Sequence, residues 1–341
     1  MTKTEALFDL EDVQKQSVVS QTGQTYLQFR KTLAPNYRRV TLELFGGWAV
    51  LLVLALGLGL ARTESWAMGL VTAVGGGALI GYTIAYLHLF FHEAAHFNLA
   101  ADRAQSDRLA NFFLGPLLLS CVEFYRCIHF AHHRLLGTNG DTENSYFQPL
   151  SPRFLLYSVS GQRVAQVLLS RSRTQSVFIP QQDRAKHRRF FLMGAAGHAG
   201  VVLASLAAQS WILAVGWSLG VFCFTPFFGA VRQLLEHRRT GAGLKDFSTE
   251  NQGKFTRTFT PDLLGVTFGA AGFSRHLLHH WDPTLSYTCL EAVEHFVLTT
   301  PLRAGYLASR KSYLAVFREL YVDAKPHKID ATLLKLRRHS S

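Results

Sequence analysis

The sequence has few cysteines and few charged residues for its length. Four cysteines stand among 341 residues, and no two of them form a CxxC pair, so a disulfide framework and a zinc ribbon are both excluded. Charged residues make up 17% of the chain and hydrophobic residues 48%, which excludes a disordered or collagenous protein. The polar N-terminal stretch MTKTEALFDLEDVQKQ carries both charge signs and is not expected to be a secretory signal.

Long uncharged runs are the main feature that is present. Residues 44–61 and 66–91 contain no Asp, Glu, Lys or Arg, and 42 further uncharged residues separate Arg189 from Arg232. A spanning helix needs about 20 apolar residues, so the first two runs predict one span each and the third predicts two, joined near Gln209-Ser210. Shorter runs at 109–122 and 263–273 are expected to lie in the membrane interface or to re-enter the membrane.

The basic residues are distributed unevenly about these four spans. Of 35 Lys and Arg residues, 34 fall on one side of the expected membrane, and the positive-inside rule makes that side cytoplasmic, with both termini there. A bacterial inner membrane is favoured over the endoplasmic reticulum. Such an excess of positive charge suits anionic membrane lipids and, alternatively, an acidic electron carrier. No nucleic-acid-binding pattern is present.

Histidine is abundant and clustered. The chain has 15 histidines, with H-E-A-A-H at 92–96, H-F-A-H-H at 129–133, H-L-L-H-H at 276–280 and a Glu236-His237 pair after the last span. Histidines at i and i+4 share a helix face, so His92 and His96 can bind one metal ion or one each of two. In each HxxHH motif the first and second histidines are expected to share a face, and the third is expected to reach a neighbouring ion.

These motifs together predict a dinuclear metal centre, because two HxxHH motifs are very improbable by chance. Nine imidazoles exceed the three protein ligands usual for a catalytic zinc. Imidazole suits iron, zinc, copper and nickel, but the number of ligands and the membrane setting favour two irons for oxygen chemistry. The candidate metal ligands are His92, His96, His129, His132, His133, His237, His276, His279 and His280.

Five further residues are candidates for supporting these ligands. Glu93 and Glu236 each neighbour a candidate ligand, Asp141 and Glu143 follow the second motif, and His88 lies one helical turn before His92. Carboxylates that accept a hydrogen bond from a ligating imidazole fix its orientation and tautomer. The alternatives are a turn around Asp141 and Glu143 and a bundle hydrogen bond at His88.

Two features inside the spans are expected to serve helix packing. Gly75, Gly76, Gly77 and Gly81 form a small-residue face on the second span, for which packing is favoured over the lining of an acyl tunnel. His198, inside the third span, is interpreted as a hydrogen-bonded packing residue rather than as a metal ligand.

The order HxxxH, HxxHH, HxxHH resembles the membrane fatty acid desaturase/hydroxylase superfamily over about residues 66–295. GTNGDTE at 137–143, Thr256-Arg257-Thr258 and HHWDP at 279–283 also match. The resemblance implies a di-iron centre with histidine ligands, His237 as the ninth, and O2 as co-substrate. It also implies a separate electron donor, a ferredoxin or cytochrome b5, because the chain lacks the HPGG haem motif. Many members carry asparagine shortly before the third motif, where this chain has Phe273-Ser274-Arg275, so the substrate subclass stays open.

The resemblance implies an all-α integral membrane fold with four transmembrane helices, interfacial helices and a cytoplasmic, histidine-rich di-iron cap. Three segments are expected: 1–43, cytoplasmic or interfacial; 44–295, the membrane domain with its histidine motifs; and 296–341, basic and cytoplasmic.

The predicted function is O2-dependent oxidation of an unactivated C–H bond in the acyl chain of a fatty acid or acyl lipid, with desaturation as the first choice. Hydroxylation and oxidative decarboxylation to a terminal alkene are alternatives on the same ligands, because selectivity lies in how the chain is held. A zinc protease using His92-Glu93-x-x-His96 would leave six histidines in the motifs unexplained. A metal transporter would place ionisable residues at the middle of several spans rather than at their ends.

Overall fold

The protein is described by a computed structural model over residues 10, 13–138, 140–147, 152–162, 179–238 and 255–321. Regular structure in these ranges is helical, with two isolated β-bridges and no strand. In chain order the α-helices are α1 (Tyr26–Arg30), α2 (Tyr37–Leu60), α3 (Trp66–Ala95), α4 (Arg103–Phe113), α5 (Val122–Leu135), α6 (Pro152–Val159), α7 (Gln181–Ala207), α8 (Trp211–Leu219), α9 (Thr225–His237), α10 (Leu263–Thr267), α11 (His276–Trp281), α12 (Leu290–Val297), α13 (Arg303–Ser309) and α14 (Tyr313–Tyr321).

In the described ranges four helices are long and apolar enough to cross a membrane, which confirms the predicted number of spans. They are α2, α3, α7 and the continuous helix Trp211–His237, in which a π-helical turn (Gly220–Phe224) joins α8 to α9. Asn36 and Ser65 begin α2 and α3 by accepting hydrogen bonds from the backbone N–H groups of Arg39 and Met68. Side-chain caps of this kind satisfy donors that a helix start would otherwise leave unpaired.

The small-residue face of α3 brings its backbone close to neighbouring helices. A Cβ atom at Gly77 would lie 2.8 Å from the Gly216 carbonyl oxygen of α8, and one at Gly81 would lie 2.4 Å from the Phe224 Cβ atom. A Cβ atom at Gly76 would similarly meet the Leu58 side chain at 2.4 Å, whereas one at Gly75 would meet open space. Three of the four glycines therefore serve close helix packing, as small residues do in membrane bundles.

His198 is satisfied within the bundle. Its Nδ1 accepts a hydrogen bond of 3.2 Å from the Trp217 indole N–H, and its Nε2 lies 3.1 Å from the Leu117 carbonyl oxygen. The ring uses both nitrogens to join α7, α8 and the turn after α4. It lies outside every group of histidines that could hold a metal among the described residues.

The two shorter apolar runs do not form continuous helices. The first is broken between α4 and α5 by turns in which Leu119 has a φ of 56°. The second contains α10, whose Thr267 hydroxyl lies 2.7 Å from the Tyr82 hydroxyl of α3. Tyr82 precedes His92 by ten residues, or about 15 Å of helix. The second run therefore packs beside α3 about 15 Å from the histidines at the C-terminal end of that helix.

Residues 13–36, here named the N-terminal strap, cross over the third histidine motif. The Trp281 indole N–H donates to the Val13 carbonyl oxygen at 3.1 Å. Tyr26 and Arg30 both donate to the buried Asp282 carboxylate, at 3.0 and 2.7 Å. Because α11 has only six residues and no side-chain cap, its position depends on such tertiary contacts rather than on its own helical stability.

The expected segment boundaries at 43/44 and 295/296 stay predictions. The N-terminal segment is described only at residue 10 and from residue 13, and the C-terminal segment only to residue 321. Residues 322–341 lie outside the described ranges.

Candidate metal centre

The nine candidate histidines come from four helices whose ends meet. His92 lies in the last turn of α3 and His96 directly follows that helix. The second motif lies on α5, His237 is the last residue of α9, and the third motif lies on α11. Each of the nine side chains is buried or half-buried.

Five of these side chains form the first histidine group. Its potential ligand atoms all lie within 4.8 Å of one another. The Nε2 atom of His129 lies 2.9 Å from those of both His96 and His133, and the His279 Nε2 atom lies 3.3 Å from that of His133. The members are His92, His96, His129, His133 and His279.

The other four side chains form the second histidine group. His132, His237 and His280 have ligand atoms within 4.8 Å of one another. The His276 Nε2 atom lies 3.1 Å from those of both His237 and His280, which joins it to the same group. Glu236 also lies within 4.8 Å of His237 and His276, so a carboxylate is available at the edge of this group.

The prediction of how each HxxHH motif divides between two ions is wrong. The first and third histidines of the second motif, His129 and His133, belong to the first group, and the middle residue His132 belongs to the second. The third motif divides in the same way, with His279 as its middle residue. On a helix, residues i and i+4 are 40° apart, whereas i and i+3 are 60° apart in the opposite direction, so the first and third histidines are the closer pair.

The geometry of both groups fits a bound metal ion. Two imidazole nitrogens at about 2.1 Å from one ion and at right angles to each other would be about 3.0 Å apart, and the shortest separations observed are 2.9–3.3 Å. A neutral imidazole has a single N–H, so several nitrogens that converge in this way bring lone pairs together. Neither ring nitrogen of the buried His92 has a hydrogen-bond partner. A cation in each group would satisfy these atoms.

Asp141 fixes the orientation of His132. Its carboxylate lies 2.8 Å from the His132 Nδ1 atom and accepts a hydrogen bond of 2.9 Å from the Glu143 backbone N–H. The Tyr146 hydroxyl also donates to Asp141 and accepts a hydrogen bond of 2.7 Å from the Gly137 backbone N–H. A metal ion that replaced the Nε2 proton would leave Nδ1–H donating to Asp141 and the lone pair of Nε2 directed at the second group.

Burial and charge act oppositely on this pair. Burial disfavours the charged form of both groups, but the Asp141 carboxylate raises the pKa of His132 to about 9, and His132 in turn holds the pKa of Asp141 below its usual value. Burial lowers the pKa of the six other candidates that lie outside the spanning helices, so these side chains are neutral ligands at neutral pH. They are His96, His129, His133, His276, His279 and His280.

Comparison with known proteins agrees with this geometry. The sequence model described as fatty acid desaturase matches residues 65–307, which is more than half of the chain and includes all nine histidines. The chain belongs to the fatty acid desaturase family. No curated protein matches it. Membership implies an oxidoreductase and a membrane protein, in agreement with the four spanning helices.

Three other supporting candidates of this desaturase-family protein lie farther from the imidazoles. Glu93 is held by the Asn98 side chain and the Tyr287 backbone N–H, both at 3.1 Å, and its other oxygen lies 3.8 Å from the His92 Nδ1 atom. Glu236 lies 3.8 Å from the His276 Nε2 atom. His88 belongs to neither group, and its ring packs 5.4 Å from that of Tyr125.

Two more residues lie next to the centre. Glu143, a predicted supporting carboxylate, lies 3.4 Å from the His129 Nδ1 atom and accepts a hydrogen bond of 3.1 Å from Gln233. The Phe273 ring lies 4.6 Å from that of His92 and 4.8 Å from that of His276. Phe273 therefore contacts both groups, although it was not predicted as a site residue. The one sequence feature that pointed to it is its position just before the third motif, where many family members carry an asparagine.

Proposed function

We propose that this protein is an O2-dependent di-iron lipid oxidase that acts as a fatty acyl desaturase. The observation that carries the proposal is the sharing of both HxxHH motifs between two adjacent histidine groups. Because α5 and α11 each supply ligands to both groups, two ions would be held as neighbours. A single tetrahedral zinc site would not require ligands divided in this way.

The first group would hold one iron through five imidazoles and the second would hold the other through four, with Glu236 beside it. Two bound irons would supply the activation of O2 and the removal of hydrogen from an unactivated C–H bond. The protein supplies imidazole ligands, an orienting carboxylate at Asp141, and the apolar ring of Phe273, which contacts both groups. Fixed ligands of this kind cost no reorganisation during reaction.

The side of the membrane follows from charge. We assign the histidine end of the bundle to the cytoplasm, because the basic residues lie on that side of the spans. Arg103, Arg108, Arg188 and Arg189 are exposed there on α4 and α7. They suit anionic lipid headgroups and the approach of a separate, acidic electron donor of the ferredoxin or cytochrome b5 type.

The protease interpretation has less support. A general base must reach the water that it deprotonates, but Glu93 is only 1% exposed, and one of its oxygens is held by the Asn98 side chain and the Tyr287 backbone N–H. Of the seven candidate histidines outside the H-E-x-x-H motif, three converge with His92 and His96, and the other four form the second group, so a single zinc site would leave these four unexplained.

The test compares cells that express the wild type, His132→Ala and His295→Ala. His295 is exposed and lies outside both groups, so it controls for the loss of one histidine. Total fatty acids and headspace volatiles are analysed by mass spectrometry, and iron is measured in the purified proteins. We expect a new double bond in acyl chains and about two irons per chain in the wild type and His295→Ala, and neither the product nor the full iron content in His132→Ala.

The same experiment can contradict the proposal at two levels. A product that persists unchanged in His132→Ala, or a wild-type protein that binds a single zinc, would refute the di-iron oxidase. A new hydroxyl group or a terminal alkene one carbon shorter than a fatty acid would replace desaturation by hydroxylation or decarboxylation at the same centre.

A further inference from the structure

A buried arginine lies beside the histidine groups, toward the membrane. Arg232 is 5% exposed and stands on α9, five residues before His237. Its Nη1 atom donates a hydrogen bond of 3.2 Å to the carbonyl oxygen of Ala85 on α3. Ala85 precedes His92 by seven residues, or about 10 Å of helix toward the membrane interior. The guanidinium therefore lies on the side of the centre from which an acyl chain in the bilayer would approach.

A single aromatic ring, that of Phe273, lies between the Arg232 guanidinium and both histidine groups. Its Cζ atom lies 5.0 Å from the centre of the Phe273 ring. Phe273 contacts His92 of the first group and His276 of the second, at 4.6 and 4.8 Å between ring centres. Any anion bound by Arg232 would thus lie next to the candidate metal centre rather than at the far end of an acyl chain.

The charge of Arg232 is only partly compensated. Among the described residues, the one carboxylate within 4.0 Å is Glu236, 3.7 Å from the Arg232 Nε atom, and that atom has no hydrogen-bond partner. Glu236 is shared, because it also lies 3.8 Å from His276 and accepts a hydrogen bond of 3.4 Å from Tyr313. Buried charges in native proteins are normally paired and hydrogen-bonded, and metal ions held by neutral imidazoles would add more positive charge here.

We propose that Arg232 binds the carboxylate of a free fatty acid, so that the substrate enters the centre as a free acid rather than as an ester or thioester. This inference rests on the proposed lipid oxidase function and specifies its substrate class. A guanidinium matches a carboxylate in charge and in its two-pronged geometry, whereas an ester carbonyl would leave the charge uncompensated. The carbons placed at the metal centre would then be those near the carboxyl end.

The alternative is that Arg232 and Glu236 form a structural ion pair. In that case replacement of Arg232 would change stability without changing the preference among headgroups. Arg257 offers a matched control, because it is also 5% exposed, donates one hydrogen bond to a carbonyl oxygen (Leu235, 2.7 Å) and lies over a phenylalanine ring (Phe255, 4.6 Å).

The test measures binding of hexadecanoic acid and its methyl ester to the full-length protein in lipid nanodiscs, without turnover. Wild type, Arg232→Met and Arg257→Met are compared, and Arg232→Gln is added because it keeps a donor for the Ala85 carbonyl oxygen if the methionine variant does not fold. We expect the wild type to bind the acid roughly 10- to 100-fold more tightly than the ester. Both Arg232 variants should lose this preference by binding the acid more weakly, while Arg257→Met retains it.

The remaining outcomes separate this inference from the proposed function. Equal binding of acid and ester by the wild type, a preference that survives in the Arg232 variants, or its loss in Arg257→Met alone would each overturn the role of Arg232 and leave the oxidase proposal intact. Failure of the wild type to bind either compound would overturn both proposals.

Discussion

Replacing Asp141 by asparagine should weaken metal binding in the second histidine group and spare the first. Asp141 accepts hydrogen bonds from Tyr146 and the Glu143 backbone N–H, and its carboxylate lies 2.8 Å from the His132 Nδ1 atom. Asparagine has nearly the same shape but no charge, and one of its two terminal atoms is a donor. At least one of the groups that now donate to Asp141 would then face the asparagine NH2 group, which is also a donor, inside a buried site.

The size of the effect follows from these contacts. Loss of a carboxylate that supports a ligating histidine lowers metal affinity by about 10- to 100-fold, which corresponds to about 1.4–2.8 kcal/mol. His132 belongs to the second group only, while the carboxylate beside the first group, Glu143, is retained. One of two bound ions should therefore leave at a chelator concentration that does not remove the other.

The assay is a chelator titration of the purified protein, with bound iron measured by elemental mass spectrometry. Tyr146→Phe, which removes one of the donors to Asp141, should give an intermediate loss. Glu319→Gln on α14, which removes an ion pair with Lys311 at 2.9 Å, serves as the control and should match the wild type. The reasoning is refuted if Asp141→Asn retains both ions as tightly as the wild type, or if it releases the two ions together.

Two further predictions concern pH and helix packing. Burial lowers the pKa of six candidate ligands outside the spans, including His96 and His279, so the unfolded chain binds more protons than the folded one below about pH 6.5 and stability is lost as the pH falls. His132 has the opposite effect on stability, since its pKa is raised to about 9 and its contribution is lost as the pH rises toward that value. One residue does not outweigh six, so the net stability should fall as the pH falls. A melting temperature and an iron content that stay constant from about pH 7 to pH 5 would contradict this prediction. Gly77→Val should lower the free energy of unfolding by about 1–3 kcal/mol, because its side chain would overlap the Gly216 carbonyl oxygen; Gly75→Val, which faces open space, should have a much smaller effect in thermal unfolding, and equal losses would contradict the assigned packing.

The spans and the nine histidines could be predicted from the sequence because both depend on local patterns. The uncharged runs have the length of a membrane crossing, and the motif spacing places histidines on common helix faces. Helix spacing makes the first and third histidines of each HxxHH motif the closer pair, but their assignment to the first or the second group could not be derived from it, since that depends on which side of α5 faces α11. Phe273, Tyr146 and Arg232 carry no motif. Their rings or charge meet His92, His237 and Phe273 respectively, and each of these pairs is distant in sequence.

The N-terminal strap has a consequence for the order of biosynthesis. Its Tyr26 and Arg30 are made about 250 residues before their partner Asp282. Both histidine groups also include members of that late segment, His279 in the first and His276 with His280 in the second. Neither ion site is complete until nearly the whole described chain has been synthesised, so cofactor loading should follow translation, and nascent chains that stop before α11 should not retain a full complement of metal.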